Sequence, residues 1–394
     1  MRSLKSYWFN RRIHMELVKR REDCCGCRTC EQVCPKGAIT MVPDQAGFLY
    51  PQIDDSKCIN CGLCLKKCAF QSGYPMRKEY EPFYGYGGRH KKESVYSHSR
   101  SGGAFVAMSD VILQKQGIVY GADFDETEGF YKVSYRMAQT REERDRLCKS
   151  KYVQSDLKDS FSKIKTQLEA GKVVLFTGTG CQVGALHQFL GKEYENLYTI
   201  DIVCHGTPSP KLWKEFLKMR EKEFHGKVTN VEFRDKKKKG WKKHFETIWI
   251  NGKPYTSRIY AKICFGSARP SCYECKYANQ NRVGDITIAD FWGHENAIGE
   301  KWDDDKGISL VLVNNAHGME LWNTAKEDMD YVDVTGYPFR HSNMKAPTKR
   351  KPDYVEFDNE LSNKGMKYIA KKYAEYTPQN YWIAKIKKKF AKKG

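Results

Sequence analysis

The chain has 394 residues, fifteen of them cysteine, and 68 basic against 48 acidic side chains give it a net charge of +20. That length holds two or three domains, and the charge favours anionic partners: phosphorylated cofactors, acidic redox proteins or anionic lipid. No secretory signal, no nucleic-acid recognition motif and no apolar run near the roughly eighteen residues of a membrane span are present, which sets aside secreted disulfide scaffolds, nucleic-acid binders and membrane-spanning proteins. Fifteen thiols in such a chain read as reduced and metal-held, in a cytoplasm.

Residues 1–16 are basic without an apolar h-region, so they read as an N-terminal extension and not as a signal peptide. Residues 17–72 carry the densest pattern. Cys24-x2-Cys27-x2-Cys30-x3-Cys34 is followed by Pro35, and Cys58-x2-Cys61-x2-Cys64-x3-Cys68 by Ala69. This is the spacing of a bacterial two-cluster ferredoxin, in which the fourth cysteine of each run ligates the other run's cluster. It assigns Cys24, Cys27, Cys30 and Cys68 to one [4Fe–4S] cluster and Cys34, Cys58, Cys61 and Cys64 to the other. Three thiolates on one tight loop reach three corners of a cubane, and the fourth corner must be reached from elsewhere. Zinc would want paired cysteines and not triplets with a distant fourth. Gly26 and Gly62 suit tight ligand loops, and 38–41 and 48–51 read as short strands over the clusters. Cys25 has no slot in the pattern and reads as a small apolar filler.

Residues 73–82 read as a linker. Residues 83–165 begin an alternation of strands and helices: Ser101-Gly102-Gly103 starts a helical run over 104–113, 118–121 is a strand, and a charged helix over 141–146 ends at Ser150-Lys151-Tyr152. Within 166–340 the clearest α/β unit runs from a buried strand, 172–177, through the turn Gly178-Thr179-Gly180-Cys181 into a helix over 182–190. A second unit follows the same logic, with a strand over 197–203, the turn Cys204-His205-Gly206 and a helix over 210–224 that has proline in its first turn. In open α/β sheets the loops at the carboxyl ends of parallel strands form the ligand crevice. Neighbouring strands would therefore put Cys181 and Cys204 on one rim.

A β-rich insert comes next, with strands over 228–233 and 244–250, a turn at Lys236 to Lys239 and a hairpin signal at Asn251-Gly252. Then come the pair Cys272-x2-Cys275, a strand over 285–290 leading to Phe291-Trp292-Gly293, and a last α/β element at 308–313. Residues 341–394 read as loop and then helix, closing in YWIAKIKKKFAKKG. That end is an amphipathic basic helix, able to lie on anionic lipid or dock to an acidic partner; the plainer reading packs it on the domain with its lysines solvated.

Cys181, Cys204, Cys272 and Cys275 lie in loops punctuated by glycine or proline. Two strand-end thiolates plus a C-x2-C pair make four soft ligands for [4Fe–4S] or for structural zinc. A redox-active C-x2-C pair is the other reading, although it normally opens a helix in a thioredoxin-like setting. Cys148 and Cys264 have no evident partners.

Six ordered strings, SRSGGAF (99–105), SKYVQS (150–155), LFTGTGCQV (175–183), DIVCHGTPSP (201–210), RPSCYECKY (269–277) and DITIADFWG (285–293), resemble the beta-subunit family of coenzyme F-420-dependent hydrogenases and dehydrogenases. The likeness is greater to the bacterial branch with a fused dicluster ferredoxin, often found among polysaccharide-synthesis genes. The resemblance implies an α+β / α/β chain: a dicluster ferredoxin-like module, an α/β core binding flavin and [4Fe–4S], and a helical C-terminal tail. It makes Cys181, Cys204, Cys272 and Cys275 ligands of a third [4Fe–4S] cluster and gives the core FAD. The family usually reads GTPCQ where this chain has Gly178-Thr179-Gly180-Cys181-Gln182, a change expected to loosen the loop.

Candidates for holding FAD are Ser101, Gly102 and Gly103 at a helix start, Gly178, Thr179 and Gly180 in the turn, and Lys151. Candidates for catalysis are Lys151, His205 and Asp290, whose plainer roles are a surface lysine, a group bonding a cluster sulfur and a turn cap. The expected activity passes electrons between a ferredoxin- or flavodoxin-like protein, the clusters and FAD, which reduces or oxidises a small substrate. The alternative is an adaptor that carries electrons to a partner enzyme and performs no substrate chemistry. Motifs leave the direction of flow open.

Overall fold

The computed structural model describes residues 16–71, 84–338 and 341–377. Nearly all of the N-terminal extension, the whole linker and the amphipathic end at 381–394 lie outside the described residues.

One nine-stranded mixed sheet frames the core, in the spatial order Met329–Asp333, Tyr84–His90, Ser309–Val313, Ile286–Asp290, Leu197–Ile202, Val174–Thr179, Ile118–Asp125, Gly129–Ala138 and Ser155–Asp156. The four strands from Ile286–Asp290 to Ile118–Asp125 run parallel, antiparallel pairs extend the sheet on both sides, and Ser155–Asp156 closes one edge parallel to Gly129–Ala138. Parallel strands must be covered on both faces, and these are. Leu175, Ile200 and Ile286 pack with the helices Ala104–Gln114 and Ala316–Ala325 on one face. Val174 and Phe176 pack with Ser160–Glu169 and Gly180–Leu190 on the other.

A three-stranded sheet of Val228–Glu232, Glu246–Ile250 and Lys253–Ser257 forms a second core with the helices Pro210–Phe224 and Phe357–Ala374. The last helix is broken at Gly365, where φ is 78°. The N-terminal module pairs Ile39–Pro43 with Leu49–Ile53 antiparallel and sets the short helices Thr29–Gln32 and Leu63–Lys66 against each other.

Two local features depart from the reading of the sequence. Lys236–Lys239, expected as a turn, is one turn of helix, and Lys236 is buried with Nζ donating to the carbonyls of Tyr96, Ser101 and Lys306. The glycine-rich strand Tyr84–His90 carries no strand signal, yet lies between two partners. A Cβ on Gly87 would strike the Phe291 ring, and one on Gly88 the backbone of Tyr331 at 2.8 Å, so only glycine admits this packing. Among the described residues no helix is long and apolar enough to cross a membrane.

Candidate functional site

The two cysteine runs fold as near copies. Each loop leads into a four-residue helix through a left-handed residue, Arg28 (φ 61°) in the first and Gly62 (φ 71°) in the second. The N–H groups of Gly26 and Asn60 donate to the sulfurs of Cys24 and Cys58, each at 3.4 Å. Cys30 faces Cys24, Cys27 and Cys68. Cys34, Cys58, Cys61 and Cys64 together line a cavity of 370 Å³ including its open mouth. Among the described residues no three His, Cys, Asp or Glu side chains are placed to hold a single metal ion. Soft sulfur ligands with N–H···S support around such a space fit iron–sulfur clusters. Burial pushes Cys68 up to about 12, so loading a cluster must displace protons.

The third thiol set stands on the sheet rim. Val174–Thr179 and Leu197–Ile202 are parallel neighbours with Thr179 opposite Ile202, so Cys181 and Cys204 leave the same edge two residues on. The turn Pro270–Cys272 is anchored there: the Arg269 N–H donates to the Thr207 carbonyl at 3.0 Å and the Thr207 N–H to the Cys272 sulfur at 3.4 Å. Cys272, Cys181 and Cys275 all face Cys204. Burial pushes Cys275 up to about 12. Cys25 lies against this set. Its buried thiol lies beside Cys27 of the ferredoxin module and Cys181 of the rim, and both push it well above the ordinary thiol range.

Gly180 does not loosen the Cys181 turn. The Thr179 N–H donates to Gln182 Oε1 at 3.0 Å, and a Cβ on Gly180 would come within 3.0 Å of Tyr277 Cβ. Glycine here seats the Tyr277 ring on the helix.

Beyond the thiols the rim is cationic. Asp290, at the end of Ile286–Asp290, accepts from Arg234 and from Trp241 Nε1. Burial alone would raise the Asp290 carboxyl, but Arg234, Trp241 and Arg100 hold it below the usual carboxylate range. Arg234 lies 5.4 Å from the centre of the Trp292 ring, which stacks on Trp241 at 4.5 Å. Arg100 donates Nη1 to the Phe233 carbonyl at 3.0 Å, and its Nε and Nη2 are buried with no hydrogen-bond partner. Burial, reinforced by Arg234, lowers the Arg100 guanidinium to about 10. Unfilled buried donors on a cation fit an anionic ligand, as the phosphates or the reduced ring of a flavin would be.

The other candidates occupy varied positions. Ser101 Oγ donates to the Ile308 carbonyl at 2.6 Å and the Gly102 N–H to Ser309 Oγ at 3.0 Å, so these groups fasten the start of Ala104–Gln114 to the sheet. Gly103 is the left-handed residue that opens that helix, with φ 92°. Lys151 caps the helix Arg141–Leu147, its Nζ donating to the carbonyls of Arg146 at 2.8 Å and Cys148 at 3.0 Å, and burial lowers it to about 8. Gly178, Thr179 and Gly180 enclose Cys181, with Thr179 Oγ1 3.1 Å from its sulfur. His205 lies next to Cys204, its carbonyl accepting from Thr348 Oγ1 at 2.9 Å, and burial of its ring holds the imidazole below the ordinary histidine range. Reading the sequence missed Arg100, Arg234 and Arg269; the first and last stand within quoted strings, but a lone arginine carries no spacing to single it out.

Residues 171–336 match the family described as the C terminus of the coenzyme F420 hydrogenase/dehydrogenase beta subunit, and residues 23–72 match the 4Fe-4S dicluster domain. Over 54 residues, 14% of this chain and 69% of the relative, the chain is 39% identical to an uncharacterized ferredoxin of Methanocaldococcus jannaschii. It is also similar to a chain of the F420-reducing [NiFe] hydrogenase complex from Methanosarcina barkeri, at 17% identity and a TM-score of 0.46, over 73% of this chain and 94% of that one.

Proposed function

Since the chain belongs to the coenzyme F420 hydrogenase/dehydrogenase beta-subunit family through residues 171–336, joined to a 4Fe–4S dicluster ferredoxin domain at 23–72, we propose that it is an iron–sulfur flavoprotein oxidoreductase of the cytoplasm. It exchanges electrons with a ferredoxin- or flavodoxin-like protein and reduces or oxidises a small molecule at the sheet rim. The observation that carries this reading is Cys25, a buried thiol that lies beside one cysteine of the ferredoxin module and one of the rim, each of which raises its pKa. Cys181, Cys204, Cys272 and Cys275 would hold a third [4Fe–4S] cluster, and Arg100 with Arg234 the anionic part of FAD.

Bound there, the clusters would supply one-electron transfer and the flavin the exchange between one- and two-electron chemistry. The chain's own part is orientation and charge. Asp290 fixes the Arg234 fork, the Trp241–Trp292 stack shields that ion pair from water, and His205, held below the ordinary histidine range by burial, presents a neutral imidazole beside Cys204.

Anaerobic purification with iron, sulfide and flavin measured on one sample tests the proposal. About twelve irons, from three four-iron cubanes, and one flavin per chain are expected. About eight irons without flavin would leave the adaptor reading in its place.

A further inference from the structure

Arg269 is 1% exposed, and its guanidinium is surrounded by neutral oxygens and one sulfur. Nε donates to the Cys24 carbonyl at 2.6 Å, Nη1 to Gln154 Oε1 at 3.0 Å, and Nη2 to the Leu49 carbonyl at 2.9 Å and to the Cys24 sulfur at 3.4 Å. Its face lies 4.3 Å from the centre of the Tyr50 ring. The ionisable groups acting on it most strongly are Cys24, Tyr50, Cys25 and Cys272, none of them a carboxylate. A buried cation is costly without a countercharge. The cysteines supply one, because thiols that bind metal do so as thiolates.

We propose that Arg269 is a fixed cation that raises the reduction potential of the cluster held by Cys24, Cys27, Cys30 and Cys68. Four thiolates around a [4Fe–4S] core are net anionic, and one-electron reduction adds a further negative charge without making or breaking a bond. A guanidinium fixed 3.4 Å from one ligand sulfur stabilises the more negative state. The second set, Cys34, Cys58, Cys61 and Cys64, receives N–H donors from Ala38 and Asn60 at 3.3 and 3.4 Å, and neither is charged. Arg269 therefore biases an electron arriving from a one-electron donor toward the core-facing set. It acts as a tuning residue and touches no substrate. The inference rests on the dicluster domain alone, and neither on the third thiol set nor on a flavin.

The test is a redox titration of the anaerobic full chain with dithionite, followed by electron paramagnetic resonance. Cys61→Ser marks the signal of the second set and Cys272→Ser any signal from the rim. Arg269→Gln removes the charge. Gln154→Glu leaves the guanidinium in place and sets a carboxylate against Nη1, cancelling its field. Both are expected to lower the potential of the first set and leave the second unmoved, while Arg269→Lys lowers it less than Arg269→Gln. If Arg269→Gln loses the first set's iron, Gln154→Glu decides the matter. Equal shifts in both sets, no shift in either, or a lysine variant indistinguishable from glutamine would overturn the proposal.

Discussion

The cysteine runs Cys24–Cys34 and Cys58–Cys68 are built to one plan and face opposite surroundings. At matching positions the first has Cys25, Gly26 and Arg28, and the second Ile59, Asn60 and Gly62. Cys25 is 6% exposed against 57% for Ile59. Ligation fixes the cysteines and a left-handed residue ahead of each short helix; what the run faces chooses the residues between. Gly26 must be glycine because a Cβ would stand 2.8 Å from Arg269 Nη1 at φ +73°, whereas Asn60 takes φ 52° facing solvent. Gly62 has nothing within 4 Å of a Cβ, while Arg28 carries the left-handed strain because its side chain reaches Asp156 and Glu31.

Cutting the core-facing contact should have the largest effect. Arg28→Ala removes one partner of a largely buried ion pair, leaving Asp156 with Lys132 at 3.3 Å, and should cost about 3 kcal/mol in urea unfolding of anaerobic protein. Gly62→Ala, at the same position in the other run, should cost only about 1 kcal/mol, for backbone strain alone. Gly26→Ala combines that strain with the displacement of Arg269 and should cost about 2 kcal/mol, against about 0.5 kcal/mol or less for Asn60→Gly.

Acid should sharpen the same contrast. Burial would raise Asp156, but Arg28 outweighs it and holds the carboxyl below its ordinary range. Below the ordinary carboxylate pKa of about 4 the unfolded chain binds the proton first. The stability from this pair is therefore present above that pH and lost as pH falls through the depressed value. Asp156→Asn should flatten that acid limb in denaturation followed from pH 6 to pH 2 (roughly the span of the carboxylate limb). The smallest difference is expected between Cys25→Ala, at about 1 kcal/mol, and Ile59→Ala, at about zero by the same assay.

The sheet centre was legible because a fully buried parallel strand is a short apolar run closed by glycine, as in Val173 to Gly178 and again near Leu197. The cysteine sets were legible because ligand spacing survives any surroundings. Tyr84–His90 was not, since its glycines are there for the rings and backbone laid against them, and a strand of glycines shows no alternation. Lys236 hid in a lysine run whose other members look alike in sequence; only the fold brings three carbonyls to its ammonium. Arg100 and Arg269 are single cations whose importance comes from partners more than a hundred residues away.

Cys61 is the one exposed thiol of the second set, at the mouth of the cavity it lines with Cys34, Cys58 and Cys64. Dioxygen and chelators reach that corner without any opening of the fold, whereas the first set lies behind Arg269 and the sheet rim. Air should strip the outer iron first and leave the inner iron bound, so a preparation handled in air would look like a half-loaded protein with its interior intact.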